Sequence, residues 1–118
     1  MADLTIYEKS TCTTCRNLSA LLDERGIDAD RVHYHVEGID EATIRDLLAK
    51  SGLRPRDILR VREPLVEQLG LLEGEGASDD ELIAAMAEHP RLMQRPIAVR
   101  GDRAVLGRPV ERVLELLE

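Results

Sequence analysis

The sequence predicts one α/β domain built on a mixed four-stranded sheet, and three features support this prediction. The chain has 118 residues, a length typical of a single domain. Segments with strand-like alternation lie near both ends, whereas about residues 40–91 have the apolar spacing of helices. We therefore expect a β-α-β half and a β-β-α half, separated by an inserted helical block.

The first half is predicted from two strands and the helix between them. "LTIY" (4–7) alternates between apolar and polar residues and indicates a strand. Residues 13–25 have apolar residues at helical spacing and end at Gly26, a common helix stop. "RVHYHV" (31–36) indicates a second strand, which must run parallel to the first in a right-handed β-α-β unit.

The middle of the chain carries start and stop signals for helices. Asp40 is a predicted N-cap and Gly52 a predicted stop for a helix over 41–51. "SDDE" (78–81) fits a capping box, and the helix that follows it should stop at "HP". Two shorter helical segments have proline near their start, and these are "RPRDILRV" and "EPLVEQLG".

The last third returns to strands. "PIAV" (96–99) and "RAVL" (103–106) flank a short turn and indicate a hairpin. "PVERVLELLE" is predicted to close the chain as a helix with Val110, Val113, Leu114 and Leu117 inward. This order of elements, with a Cys-X-X-Cys sequence at the start of the first helix, is that of a thioredoxin-like fold.

Composition and charge restrict the possible functions. The formal net charge of −7 disfavours nucleic-acid binding, which needs a basic surface. The first residues lack the pattern of a secretion signal, and no segment has the roughly 20 apolar residues of a membrane span. We expect a cytoplasmic monomer, in a compartment where thiols are kept reduced.

Cys12 and Cys15 are the only cysteines, and three interpretations of them are open. A disulfide between them would close a very short loop and stabilise the fold little. A zinc site would need two ligands from His33, His35 and His89, but we prefer to place His33 and His35 on the solvated face of the second strand. Redox or nucleophilic use fits best, because Cys12 directly precedes a helix.

Four separated blocks of sequence carry a resemblance to a known family. They are "CTTCRN" (12–17), "ILRVREPLVEQLGL" (58–71), "HPRLMQRPIAV" (89–99) and "LGRPVERVLELL" (106–117). These blocks resemble the glutaredoxin-coupled arsenate reductase family, the ArsC-like proteins of the ArsC/Spx superfamily. The resemblance implies that Cys12 is the nucleophile and that Arg60, Arg95 and Arg108 bind the oxyanion. It also implies a cis peptide bond before Pro96.

The chemistry of arsenate reduction agrees with these residue types. The nucleophile must be a thiolate, although an ordinary thiol is only a few per cent ionised at neutral pH. A helix N-terminus and nearby guanidinium groups stabilise both a thiolate and an oxyanion, and the planar fork of arginine holds two oxygens at once. We expect Thr14, Arg16 and Pro96 to support the site.

The chain departs from the family where relatives commonly have "HNPxCxxS" and this sequence has "EKSTCTTC". Glu8 replaces the histidine, Ser10 the proline and Cys15 the serine. Cys15 therefore offers an internal thiol that can resolve the Cys12 adduct, leaving a disulfide for thioredoxin or glutaredoxin to reduce. Otherwise glutathione resolves the adduct. No metal or organic cofactor is expected.

Two other functions share parts of this pattern. Spx-like transcriptional regulators, which bind RNA polymerase, have a similar pair of cysteines and an arginine that matches Arg95. A general thiol-disulfide oxidoreductase needs only Cys-X-X-Cys. The set of three arginines favours the reductase, because neither a binding module nor a protein disulfide requires an oxyanion site.

Overall fold

A computed structural model describes residues 3–9, 11–74 and 76–117, which leaves Ser10 outside the described residues. Its centre is a four-stranded sheet in the order β2-β1-β3-β4. Strand β1 is parallel to β2 and antiparallel to β3, and β3 is antiparallel to β4. The strands are β1 (Leu4–Glu8), β2 (Asp30–His33), β3 (Ile97–Arg100) and β4 (Arg103–Leu106).

Most of the helices lie between β2 and β3, and all but two short ones, at Tyr34–Glu37 and Pro90–Leu92, lie where the sequence predicts a helix. They are α1 (Thr13–Glu24), α2 (Tyr34–Glu37), α3 (Glu41–Ser51), α4 (Pro64–Gln68) and α5 (Asp79–Glu88), with 3₁₀ helices at Pro55–Ile58, Pro90–Leu92 and Val110–Leu117. The mixed four-stranded α/β fold with its inserted helical block is therefore confirmed.

The predicted end signals of α3 and α5 are also confirmed. The Asp40 carboxylate accepts a hydrogen bond from the Thr43 N–H at 2.8 Å. Gly52 ends α3 at a φ of 73°, in the left-handed region that favours glycine. Ser78 and Glu81 form the reciprocal bonds of a capping box, each at 3.1 Å.

The prediction of a strand over 31–36 is wrong beyond His33. The chain turns there into α2, so the expected placement of His33 and His35 on one solvated strand face is also wrong. Tyr34 is fully buried, but Val36 is 88% exposed. The turn forms because Glu37 accepts a hydrogen bond from the His33 N–H at 2.9 Å, while the buried Tyr34 hydroxyl donates to the Met93 carbonyl at 3.2 Å.

The last helix differs from the prediction in its period. It is a 3₁₀ helix, in which residues three apart share a face, so Val113 and Leu116 are buried beside the half-buried Val110. The α-helical period of 3.6 predicts Leu114 and Leu117 in the core, but both are only partly buried. The predicted inward face is therefore rotated about the helix axis.

The sheet separates two apolar clusters, because alternate residues of a strand face opposite sides. Leu4 and Ile6 of β1 pack with α1 and the last helix, whereas Tyr7 packs with the helical block. No helix among residues 3–9, 11–74 and 76–117 is long and apolar enough to cross a membrane. The edge of the sheet where β1 ends leads directly into the two cysteines.

Candidate active site

The two cysteines lie at the N-terminus of α1. Cys12 is the N-cap residue, and its Sγ accepts a hydrogen bond from the Cys15 N–H at 3.3 Å. The Cys12 N–H donates to the Lys9 carbonyl at 3.0 Å, which holds the loop after β1. Both thiols are reduced and buried, with 9% of Cys12 and 1% of Cys15 exposed. The position of Cys12 before the first helical turn is as the sequence predicts.

The two thiols differ in acidity. Burial tends to raise the pKa of Cys12, but hydrogen bonds from Cys15 and the charge of Arg95 outweigh it, so this pKa lies below its ordinary value. Burial, the hydrogen bond to Cys12 and the negative charges of Cys12 and Glu8 raise the pKa of Cys15 to about 12. The Cys12 thiol is therefore the more acidic of the pair, and Cys15 donates the hydrogen bonding that favours its thiolate.

Arg95 is the guanidinium that acts on Cys12. It lies at the end of the segment before β3, it is only 9% exposed, and its peptide bond to Pro96 is cis, as the resemblance implies. Its Nε and Nη1 atoms are buried and have no hydrogen-bond partner among the described residues. A buried guanidinium with free donors is costly unless an acceptor binds it, so this position suits an anion.

Arg60 and Arg108 line a cavity of about 430 Å³ together with Gln94. The Arg60 N–H donates to the Leu92 carbonyl at 2.7 Å, and this pairing brings the segment after the first 3₁₀ helix beside the one that carries Arg95. Arg108 Nη1 donates to the Arg95 carbonyl at 2.9 Å. The three arginines of the prediction therefore come from distant parts of the chain to one region.

Arg60 and Arg108 differ from Arg95 in their salt bridges and their exposure. The Arg60 guanidinium lies 3.6 Å from the Glu63 carboxylate, so it is partly neutralised. Arg108 is exposed and precedes a second cis peptide bond, at Pro109, which sequence reasoning missed. Arg95 is thus the most buried cation of the set.

The predicted supporting residues Thr14, Arg16 and Pro96 differ in how far they are buried. Thr14 is half-buried in the first turn of α1, and Pro96 is buried at the start of β3. The Arg16 side chain is exposed, and its N–H donates to the Cys12 carbonyl at 3.0 Å, as the helix requires. Arg95, rather than Arg16, supplies the positive charge that lowers the pKa of Cys12.

Two residues near Arg95 were missed as site residues. Burial raises the pKa of the Tyr34 phenol, and Arg95 and Arg60 act on it in the opposite direction. Burial and the charges of Arg95, Lys9 and Arg60 lower the pKa of His35 to about 4. One signal was available in the sequence, since Tyr34 is one of only two aromatic residues in a chain without Phe or Trp.

Glu8 occupies the end of β1 as a buried carboxylate. It is 4% exposed and pairs with Arg31 of β2, whose Nη1 lies 3.0 Å from Glu8 Oε1 and also contacts Ser19. Its charge acts on Cys15, where it contributes to the high pKa of that thiol. Glu8, which replaces the family's histidine, therefore raises the pKa of Cys15. Its own negative charge is balanced by the salt bridge with Arg31.

The zinc alternative finds no support in the described part of the chain. Those residues bring together no group of three or more His, Cys, Asp or Glu side chains that could hold a metal ion. Cys12 instead lies in the field of the Arg95 guanidinium, which is an arrangement for an anion.

Comparisons with known proteins find relatives over nearly the whole chain. The ArsC family model matches residues 7–116. The Escherichia coli (strain K12) protein YfgD is 39% identical over 113 residues, 95% of this chain and 94% of that protein. The arsenate reductase of Neisseria meningitidis serogroup A is 35% identical, covering 99% of this chain and 100% of that protein. The solved structure of an arsenate reductase from Vibrio cholerae superposes with a TM-score of 0.90 at 38% identity and covers 96% of each chain. The chain belongs to the ArsC family.

Proposed function

We propose that this protein is an arsenate reductase, which reduces arsenate to arsenite with Cys12 as the nucleophile. One observation carries the proposal: the acidic thiol of Cys12 lies in the field of Arg95, a buried guanidinium with two unpartnered donors. A thiolate beside free, buried cationic donors suits a substrate that is both an anion and an electrophile. The relatives named arsenate reductase support the same substrate.

Arg60, Arg95 and Arg108 are the proposed oxyanion-binding residues. Arsenate is a tetrahedral oxyanion, and charge-assisted hydrogen bonds from guanidinium groups hold such anions in a defined orientation. Arg60 and Arg108 line one cavity, and Arg108 is tied to the backbone of Arg95. A formal net charge of −7 disfavours anions elsewhere on the protein, so a local cationic site has particular value.

In the first step the Cys12 thiolate attacks arsenic, a sulfur–arsenic bond forms, and one arsenate oxygen leaves as water. Arsenic stays in its +5 state at this stage. The arginines neutralise the charge of the anion and orient it for attack. The hydrogen bonds that Cys12 accepts from Cys15 favour the ionised form of its sulfur before the anion binds.

In the second step a thiolate attacks the Cys12 sulfur, a disulfide forms, and the electron pair of the sulfur–arsenic bond passes to arsenic, which leaves as arsenite. Cys15 is adjacent, since its N–H reaches Cys12 Sγ at 3.3 Å. Formation of the adduct removes the negative charge of Cys12, which is one reason for the high pKa of Cys15. The adduct therefore makes Cys15 easier to ionise when its attack is needed.

We further propose that glutaredoxin with glutathione, or thioredoxin, returns the disulfide to two thiols. The alternative is that glutathione attacks the adduct directly and Cys15 takes no part. In either case the electrons come from thiols, without a metal or organic cofactor. The cycle requires a reducing compartment, so the proposal includes a cytoplasmic location and action as a monomer.

Arsenite formation under turnover conditions tests this function. The reduced protein is supplied with arsenate and either glutathione with glutaredoxin or a thioredoxin system, and arsenite is measured. We expect arsenite from the wild-type protein and none above background from Cys12→Ser. Wild-type protein that stays inactive with both donors would contradict the proposal and favour a redox-sensing regulator of the same fold.

A further inference from the structure

Cys12 is the member of the cysteine pair that an external thiol can reach. It is 9% exposed, against 1% for Cys15. Thr11, directly before it, is exposed and lines a cavity of about 440 Å³ together with Lys9, which we call the Thr11 cavity. A reductant of a disulfide between the two cysteines therefore approaches across this part of the surface.

A second cavity adjoins the same loop. It is the one that Arg108 shares with Arg60, which we call the Arg108 cavity. The antiparallel register of β1 and β3, continued past the strand ends, sets Arg95 opposite Lys9. Arg108 donates to the Arg95 carbonyl, and the Cys12 N–H donates to the Lys9 carbonyl. The loop that holds Cys12 is therefore next to both cavities.

An exposed valine lies in each of these cavities. Three large hydrophobic side chains are exposed among the described residues, and these are Val36, Val61 and Leu69. Val36, which is 88% exposed, lines the Thr11 cavity, and Val61, which is 51% exposed, lines the Arg108 cavity. A single exposed valine is ordinary, but two of these three side chains adjoin one reactive loop. A partner that covers them removes apolar surface from water.

The charges on this face are mainly positive. Arg60, Arg62 and Arg108 line the Arg108 cavity. Lys9 lines the Thr11 cavity, and Arg16 is exposed in the first turn of α1. Each cavity contains one glutamate, so cations are in excess here, although the formal net charge of the protein is −7. Such a face favours a partner with acidic groups around its own reactive site.

We propose that a dithiol protein, with acidic side chains around its thiols, docks on this face and reduces the Cys12–Cys15 disulfide. This inference rests on the proposed function, because that function produces the disulfide. A small face of this kind suits a short-lived redox encounter. The docking face consists of Lys9, Thr11, Val36, Val61 and Arg62.

In the exchange a thiolate of the partner attacks the Cys12 sulfur, and the sulfur–sulfur bond to Cys15 breaks. The second thiol of the partner gives its proton to Cys15 and, as a thiolate, attacks the mixed disulfide. Cys12 is released as a thiolate, and the partner keeps a disulfide of its own. Two electrons thus pass from the partner to the pair, and the more acidic thiol is the one left ionised.

Reduction of the disulfide tests the docking face separately from arsenate chemistry. The full chain is oxidised with diamide, and its reduction by thioredoxin, by glutaredoxin and by dithiothreitol is followed by intact mass. For the faster of the two proteins, we expect Val36→Glu and Arg62→Glu each to lower the second-order rate constant about 10-fold. The rate with dithiothreitol should not change, because a small dithiol needs no docking face.

Two controls carry the same changes in charge outside the face. Leu69→Glu matches the valine variant, since Leu69 is 45% exposed and lines neither cavity. Arg25→Glu matches the arginine variant, since Arg25 ends α1 about 20 Å along the helix from Cys12. Both controls should be reduced at the wild-type rate by every reagent.

Several results would overturn the inference. They are a wild-type rate in either the Val36 or the Arg62 variant, an equal loss of rate with dithiothreitol, and reduction by free glutathione as fast as by either protein. A pair that forms no disulfide with diamide would do the same. Because diamide replaces arsenate as the oxidant, a protein that makes no arsenite would refute the proposed function while docking could still be measured.

Discussion

The reactivity of Cys12 depends on two neighbours that act differently. Cys15 donates hydrogen bonds to its sulfur, and Arg95 adds a full positive charge from a buried position. Neighbours of both kinds lower the pKa of a thiol, in spite of the burial that opposes ionisation. Two donors of the same arginine have no partner in the described part of the chain, so we propose that one side chain serves both the nucleophile and the substrate.

Replacement of Arg95 should therefore impair two measurable properties together. In Arg95→Gln we expect a higher Cys12 pKa, measured from the pH dependence of iodoacetamide alkylation. Phosphate binding should weaken by about 10- to 100-fold, as expected for the loss of a charge-assisted hydrogen bond. Arg112→Gln is the matched control, since Arg112 lies on the surface, where it pairs with Glu115 at 3.6 Å. If the Arg95 and Arg112 variants have the same Cys12 pKa and the same phosphate affinity, Arg95 acts on neither the thiol nor the anion.

His35 should make stability depend on pH in a defined window. Its pKa is about 4 in the folded protein against an ordinary value of 6.5. Between these values the unfolded chain binds more protons, so stability should fall as the pH is lowered from about 6.5 to 4. Urea unfolding of wild type and His35→Gln measures the difference between them. A difference that is constant from pH 7 to pH 4 would show that His35 does not titrate in this way.

At the scale of elements, the last helix offers the clearest test of the structure. Its 3₁₀ period buries Leu116 and leaves Leu117 partly exposed. We expect Leu116→Ala to lower the free energy of unfolding by about 2–5 kcal/mol, and Leu117→Ala to lower it clearly less. Denaturant unfolding compares the two. The reverse order would indicate the α-helical register that the sequence predicts.

The elements that the sequence predicts correctly are those with local signals. Asp40, Gly52 and the Ser78–Glu81 pair specify helix ends within a few residues, and the structure contains all of them. The two errors concern segments in which tertiary contacts decide. Tyr34 turns the chain out of the sheet by packing against a segment 59 residues away, and no local pattern contains that contact.

In the candidate site, too, residues with a local sequence signal could be predicted, whereas residues placed by tertiary contacts could not. Cys12 was found because its signal is local, a cysteine directly before a helix. Arg60, Arg95 and Arg108 were predicted through the resemblance alone. The chain is rich in arginine, and the sequence around an arginine does not show whether its side chain is buried. Predicting His35 would have required both the turn at α2 and the approach of Arg60 and Arg95, which only the fold supplies.

At the scale of the whole molecule, both sides of the sheet should contribute to one cooperative fold. Leu22 is buried in the cluster beside α1 and Met86 in the helical block, and neither is measurably exposed. Leu22→Ala and Met86→Ala should each lower the free energy of unfolding by about 2–5 kcal/mol in a single transition. Val36→Ala, at a position that is 88% exposed, should change it by no more than about 0.5 kcal/mol. Two separate transitions would mean that the faces unfold independently.

The most direct test of the reductase is a single turnover in the absence of any external thiol. Fully reduced protein is mixed with arsenate, and arsenite and the intact mass of the protein are followed together. We predict about one equivalent of arsenite and a mass lower by two hydrogens, because Cys12 and Cys15 supply both electrons. Cys15→Ser should instead retain arsenic on Cys12 until glutathione is added. An unchanged wild-type mass without arsenite, which persists after glutathione and glutaredoxin are added, would contradict the account.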